Sequence, residues 1–267
     1  MFSVISLVVS YGCTKQEKKP ITALYFFTPY NYAPEYLNGH IKAVKEFNYW
    51  AVANSGKYEP GNLVTRKERD SLHWSSDFSA FYSESGILTR IDYIEPDGAI
   101  NSWVIDIEKN RLDKATWIAK DTPRIYIKIK YDDEGMVVGS QRFRSKVDTM
   151  LYNNYMVHNE KGDIVEVKSF SSIGKFISKD SLFWNSSSRV VASKSFTGTD
   201  SLVSSSHTKY NDYGFYYFQE YLNGRGEVVR TIRCDYLEYD PRGNWLSALV
   251  YDGGKPIFIT KRVYVYY

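Results

Sequence analysis

Residues 124–135 read Arg-Ile-Tyr-Ile-Lys-Ile-Lys-Tyr-Asp-Asp-Glu-Gly. The isoleucines at 125, 127 and 129 fall on every second position, the period of a strand with one buried face. Tyr131-Asp132-Asp133-Glu134-Gly135 then carries turn chemistry. Acidic side chains bond back to local backbone N–H groups, and Gly takes the left-handed conformation that a type I turn with a bulge requires.

The unit of strand, aromatic or His, turn formers and Gly recurs along the chain. Tyr82 precedes Gly86, His158 precedes Gly162, Tyr210 precedes Gly214 and Tyr239 precedes Gly243, each by four residues. Related forms end at Gly39, Gly98, Gly226 and Gly254. The steps Gly86 to Gly98, Gly162 to Gly174 and Gly214 to Gly226 are each 12 residues. Such a period holds one strand of roughly eight residues plus a turn. Where Gly is missing, Lys109-Asn110, Asp121-Thr122-Pro123 and Asn185-Ser186-Ser187-Ser188 stand near the expected places. Arg262-Val263-Tyr264-Val265-Tyr266-Tyr267 alternates like the first strand quoted. The Ser-rich stretch from Ser181 to Ser206 contains Val190, Val191, Phe196, Leu202 and Val203, so it reads as strand faces and not as a linker. A helical turn fits only the charged segment Asn62 to Leu72. The fold expected is all-β, a long antiparallel meander of hairpin repeats. Spacing alone leaves open whether it ends as an open spiral, a sandwich or a barrel.

Composition agrees. Aromatic residues make up 16% of 267 residues, with 24 Tyr, 14 Phe and 6 Trp, and such side chains suit pleated, half-buried surfaces. The net charge of +3 comes from 34 basic and 31 acidic residues. They are interspersed with no basic stripe, which argues against nucleic acid as a partner. Two cysteines, Cys13 and Cys234, exclude a disulfide framework and a Cys-based zinc site. The four histidines are scattered singly, a poor pattern for a metal.

Phe2 to Val9 form an apolar run too short to span a bilayer as a helix. It reads as the core of a secretory signal, with a first β-strand as the alternative. Gly12 before Cys13 resembles the lipobox of bacterial lipoproteins, in which the peptide is cut before a lipidated cysteine. No Lys or Arg precedes the run, and Ser10-Tyr11 departs from the usual motif. The organisation expected is a signal peptide over 1–12, lipidated Cys13 with a polar tether over 13–35, and one β-repeat domain over 36–267.

Tyr131-Asp132-Asp133-Glu134-Gly135 and Tyr239-Asp240-Pro241-Arg242-Gly243-Asn244 resemble the YD repeats of the RHS family. With the lipobox, the chain is similar to small bacterial lipoproteins carrying such repeats. The resemblance implies a curved or spiral sheet. Large members of that family wrap a C-terminal toxin in a shell, but this chain is too short for one. Asp240-Pro241-Arg242-Gly243 reads as a turn in which Pro presets the backbone angle, and neither toxin nor autoprotease activity carries over.

For chemistry, there is no GxSxG, Walker-type loop, strand-turn-helix GxGxxG or calcium loop. A non-enzyme without cofactor is expected. Asp132-Asp133-Glu134 falls at a hairpin tip, where a solvated turn is the default. Exposed aromatic rings on a curved sheet can stack on sugars or anchor a protein. Trp50, Trp74, Trp184 and Trp245 are the binding candidates, although each also suits packing inside a sheet. The reading is a lipid-anchored envelope protein, expected at the outer membrane, that works as a binding or scaffold module. A glycan-binding surface protein is the alternative, and an envelope protein the other expected partner.

Overall fold

A computed structural model describes residues 22–24, 35–65, 68, 77–94, 99–108 and 111–267. The signal segment, Cys13 and Trp74 lie outside these. β1 (Thr22–Leu24) and β2 (Glu35–Leu37) form a small antiparallel pair. The main sheet opens with β3 (Ile41–Asn54), β4 (Lys57–Leu63), β5 (Phe78–Tyr82), β6 (Leu88–Ile94) and β7 (Ile100–Glu108). It continues through β8 (Arg111–Ala119), β9 (Thr122–Tyr131), β10 (Val137–Arg144), β11 (Thr149–His158), β12 (Ile164–Ser171) and β13 (Phe176–Trp184). β14 (Val190–Thr197), β15 (Leu202–Tyr210), β16 (Tyr216–Asn223), β17 (Val228–Tyr239), β18 (Trp245–Asp252) and β19 (Lys255–Tyr266) complete it.

The quoted unit folds as its chemistry dictates. Asp132 Oδ1 accepts the backbone N–H of Glu134 at 3.1 Å and of Met136 at 2.8 Å, while Gly135 N–H returns to Asp132 O at 3.1 Å with φ +85°. Asn159, Asn185, Asn211 and Asp240 repeat this bonding at the same end of neighbouring hairpins, which we call the A end. At Ser188 the position lacks glycine, and a serine holds φ +52°. The opposite, B end mixes the same turn, at Asn223–Gly226, with tight turns such as Lys120-Asp121, both at positive φ. Thr122 and Pro123, expected in that turn, already belong to β9.

Every consecutive pair from β5 to β19 is antiparallel, and the meander closes because β19 pairs with β3. β3 is long enough to be shared. Its C-terminal half pairs with β4, and its N-terminal half with β5, through Ala43–Phe81 and Glu46–Phe78. β5 carries the ring onward, so the closed barrel has 16 strands and β4 is a side branch. This corrects the curved or spiral sheet implied by the YD resemblance. Local turn chemistry is the same in both, and closure depends on non-local pairs. After β4, Thr65 Oγ1 and the Glu68 carboxylate accept each other's backbone N–H groups; of the expected helical turn, Asn62 and Leu63 belong to β4, and residues 66–67 and 69–72 lie outside the described residues.

The inner wall is layered. Near the A end it is apolar, with Val44, Ile91, Trp103, Ile127, Ile164 and Val167 buried together. Straps tie neighbouring turns there. Tyr131, Tyr210 and Tyr236 donate their hydroxyls to the carbonyls of Leu112, Val190 and Tyr216, and Trp184 Nε1 donates to Ile164 O, at 2.6–2.8 Å. His158 takes the corresponding place in β11. Above this lies a polar layer in which buried side chains satisfy each other: Asn154 bonds Ser140 and Ser169, Ser195 donates to Asp180, and Gln219 donates to Thr208.

The expected alternation holds in β19, with the aliphatic residues on the outer face. Val263 and Val265 of β19 face solvent, whereas Arg262, Tyr264 and Tyr266 face inward. Arg262 can turn inward because Glu46 meets it there at 2.8 Å.

Candidate functional site

Two of the described candidate Trp rings, and the indole edge of the third, are engaged by the wall itself. Trp245 is 6% exposed, and the Arg262 guanidinium lies 3.9 Å from its ring centre. Trp184 is fixed by the strap to Ile164, and Trp50 packs on Phe258 at 5.3 Å between ring centres. Trp103 and Trp117 pack on each other at 5.4 Å. A closed wall has an inner face large enough to take these rings, and the described Trp side chains lie on it.

The outer wall carries Tyr and Phe rings, half-buried or, like Phe183, exposed, interleaved with cations. Lys179 lies 4.7 Å from the centre of Phe196, Lys194 5.8 Å from Phe183, Lys209 5.4 Å from Phe218 and Arg233 3.9 Å from Tyr251. These are cross-strand neighbours. The cations also have carboxylate partners on the same face: Lys168 meets Glu166, and Lys179 meets Asp200, each at 2.8 Å. Lys128, Lys194, Arg233 and Lys261, near mid-strand, are exposed. A sequence signal existed for this wall, namely the Lys or Arg lying between inward positions of most strands.

The ends differ in what their turns hold. At the A end a clasp joins the last hairpin to the chain before β3. Asn244, fully buried, accepts Asn38 N–H at 2.7 Å and donates to Asn38 O at 2.8 Å and to the Tyr266 hydroxyl at 2.9 Å. Tyr266 donates to Asp240. Burial and the Asp240 carboxylate push the Tyr266 phenol up to about 12. Burial alone would raise Asp240, but hydrogen bonds from Tyr266, Asn244 and Arg242 outweigh it and hold that carboxyl below its ordinary value. Pro241 and Arg242 stand in an ordinary A-end turn, as the sequence suggested.

The three described histidines do not converge. His40 packs on Tyr267, His207 faces Glu220 at 3.4 Å, and burial lowers His158 against the opposing pull of Asp132 and Asp163. No group of three metal-ligating side chains forms among the described residues. Cys234 is buried in the inner wall. No helix among the described residues is long and apolar enough to cross a membrane, which does not bear on crossing by strands.

The sequence matches no protein-family model and no curated protein. The fold is similar to a porin-like protein from Bacteroides uniformis, with TM-score 0.53 and 9% identity over 86% of this chain and 98% of that one. A porin-like protein from Bacteroides vulgatus aligns over 85% and 99% with TM-score 0.41 and 13% identity. The first likeness establishes the closed antiparallel barrel and nothing finer at that identity. No RHS family is found, so the YD resemblance rests on turn chemistry that any such hairpin shares.

Proposed function

We propose that this chain is a non-catalytic barrel of the bacterial cell envelope, held by a lipid on Cys13 at the outer membrane, which works as a binding or scaffold module. The observation that carries this reading is the wall's polarity. A barrel that spans a bilayer turns an apolar band outward, and a Lys or Arg on that face costs about 2–4 kcal/mol at the midplane. Here Lys128, Lys194, Arg233 and Lys261 stand exposed near mid-strand, while apolar and mutually bonded side chains face inward. Such a wall suits water on its outside.

A pore is the second reading, favoured by the likeness to the porin-like fold. One experiment separates the two. The full chain carrying Cys13→Ser should stay monodisperse without detergent and give no discrete conductance steps in planar bilayers. A need for detergent, together with reproducible channels, overturns the proposal. Partners remain an envelope protein or a glycan, and the rings to test are now Tyr155 and Phe183, both exposed on the outer wall. Loss of a glycan-array signal on Phe183→Ala would identify the sugar-facing side. Membrane fractionation in high salt tests the anchor: Cys13→Ser should leave the membrane fraction that keeps the parent chain, and unchanged partitioning removes the lipid.

A further inference from the structure

We infer that the B end is a docking edge for an anionic lipid bilayer, an inference that rests on the water-facing wall proposed above. Two adjacent hairpins carry it. The β10–β11 turn presents Lys146-Val147 and the β12–β13 turn presents Ile173-Gly174-Lys175, and β11 pairs directly with β12 through Tyr152 and Ser171. Val147 is 58% exposed and Ile173 87%, at the tips of turns where soluble hairpins place polar residues. Val203, Val228 and Val229, on the next hairpins of the same end, are at least half exposed.

The charges at this end are unequal in their engagement. Asp148 accepts the Tyr126 hydroxyl, Asp200 pairs with Lys179, Glu227 accepts Asn223 and Asp252 pairs with Arg230. Lys120, Lys146, Lys175, Arg225 and Lys255 project at the same turns, and each is exposed. Lys179 and Arg230 neutralise two of these acids, and the five exposed cations outnumber the remaining described ones, Asp148, Glu227 and the exposed Asp121, which leaves a basic rim around aliphatic tips. That pairing matches a surface with negative headgroups above an acyl layer, where short apolar insertions and nearby Lys or Arg act together. The A end offers the opposite, with Asp133, Glu134, Glu160 and Asp212 exposed at its turns. A lipid on Cys13 is compatible with this. Nine residue steps separate Cys13 from Thr22, a reach of about 30 Å, comparable to a nine-residue strand at about 3.3 Å per residue.

The test is vesicle sedimentation of the full chain carrying Cys13→Ser, so that no acyl chain contributes. Large vesicles of phosphatidylcholine with equal phosphatidylglycerol should pellet the protein. Pure phosphatidylcholine should not, and added salt should release it. Val147→Asp with Ile173→Asp should weaken binding at least tenfold without changing the circular dichroism or the melting curve, since neither side chain is packed. Lys146→Gln with Lys175→Gln should weaken it less and flatten the salt dependence. No pelleting on anionic vesicles, or equal pelleting of the Asp variant, overturns the inference. A rim that instead captures a protein gives that result. Failure here with a detergent-free, non-conducting barrel leaves the water-facing reading standing; detergent dependence removes both.

Discussion

The hairpin ladder from β9 to β18 and the seam where β19 meets β3 are built on different principles. In the ladder each strand finds its partner through a turn of a few residues, and the Asx bond with a left-handed fourth residue sets the register locally. At the seam the partners are 216 residues apart, and no turn can set register. Side chains do so instead: Arg262 meets Glu46, Thr260 donates to Asn48 at 2.8 Å, and Asp77 accepts from the backbone N–H and the side-chain amide of Asn48, each at 3.0 Å. A one-residue slip would place Arg262 and Glu46 on opposite faces. The comparison teaches that a buried ion pair here does the specifying that turns do elsewhere.

The sharpest way to break that comparison is Glu46→Ala. Arg262 is then left charged inside the wall, and unfolding in denaturant should show a loss of about 3–5 kcal/mol. Glu46→Leu with Arg262→Met should recover most of it, whereas Glu166→Ala, which removes the partly exposed pair with Lys168, should cost under about 1 kcal/mol. If the double variant stays as unstable as the single, the pair does more than neutralise.

The A-end clasp comes next. Asn244→Ala removes both bonds to the Asn38 backbone and the one to the Tyr266 hydroxyl, at about 1–3 kcal/mol. Its pH dependence has a defined sign. Asp240, held below its ordinary value, contributes stability present above that value and lost as pH falls through the lowered one. Tyr266 contributes stability present below its unfolded value of 10.0 and lost as pH rises toward about 12. Asp240→Asn should flatten both limbs of a melting temperature against pH curve, and an unchanged curve would exclude the clasp as their source.

Within the ladder, effects should be smaller and graded by neighbours. Gly174→Ala meets open space and bears only the positive-φ strain, about 1 kcal/mol. Gly214→Ala must also displace the Arg189 guanidinium and should cost more. Equal losses would show that the arginine yields freely. The smallest change expected is a gain. His158→Tyr restores the aromatic strap at the one described ladder position that has a histidine, worth about 0.5–1.5 kcal/mol by thermal melting. It also removes an acid-side loss, because burial holds His158 neutral and that stability fades as pH falls through its lowered value.

The contrast explains what could be read from the sequence. Gly86, Gly135, Gly162, Gly174, Gly214, Gly226, Gly243 and Gly254 all take positive φ, because turn chemistry lies within five consecutive residues. Closure was not legible, since Glu46 and Arg262 look alike with or without a partner across the ring. The same reason left the inner face of β19 open: alternation marks two faces but does not say which is inside, and only Glu46 decides it. The inward place of Trp50, Trp184 and Trp245 was not legible either, because aromatic type reports area to bury without saying on which face. The tips Val147 and Ile173 are single residues in short turns and form no pattern until two hairpins stand side by side.

The shared strand β3 has one further consequence. A ring of up-and-down strands can gain or lose members only two at a time, or its ends would arrive pointing the wrong way. Because β4 lies off the circuit, the length of its hairpin with β3 is uncoupled from that parity. Lengthening or trimming it changes neither the circumference nor the alignment of the first and last strands, so the architecture has one place where growth is free of arithmetic.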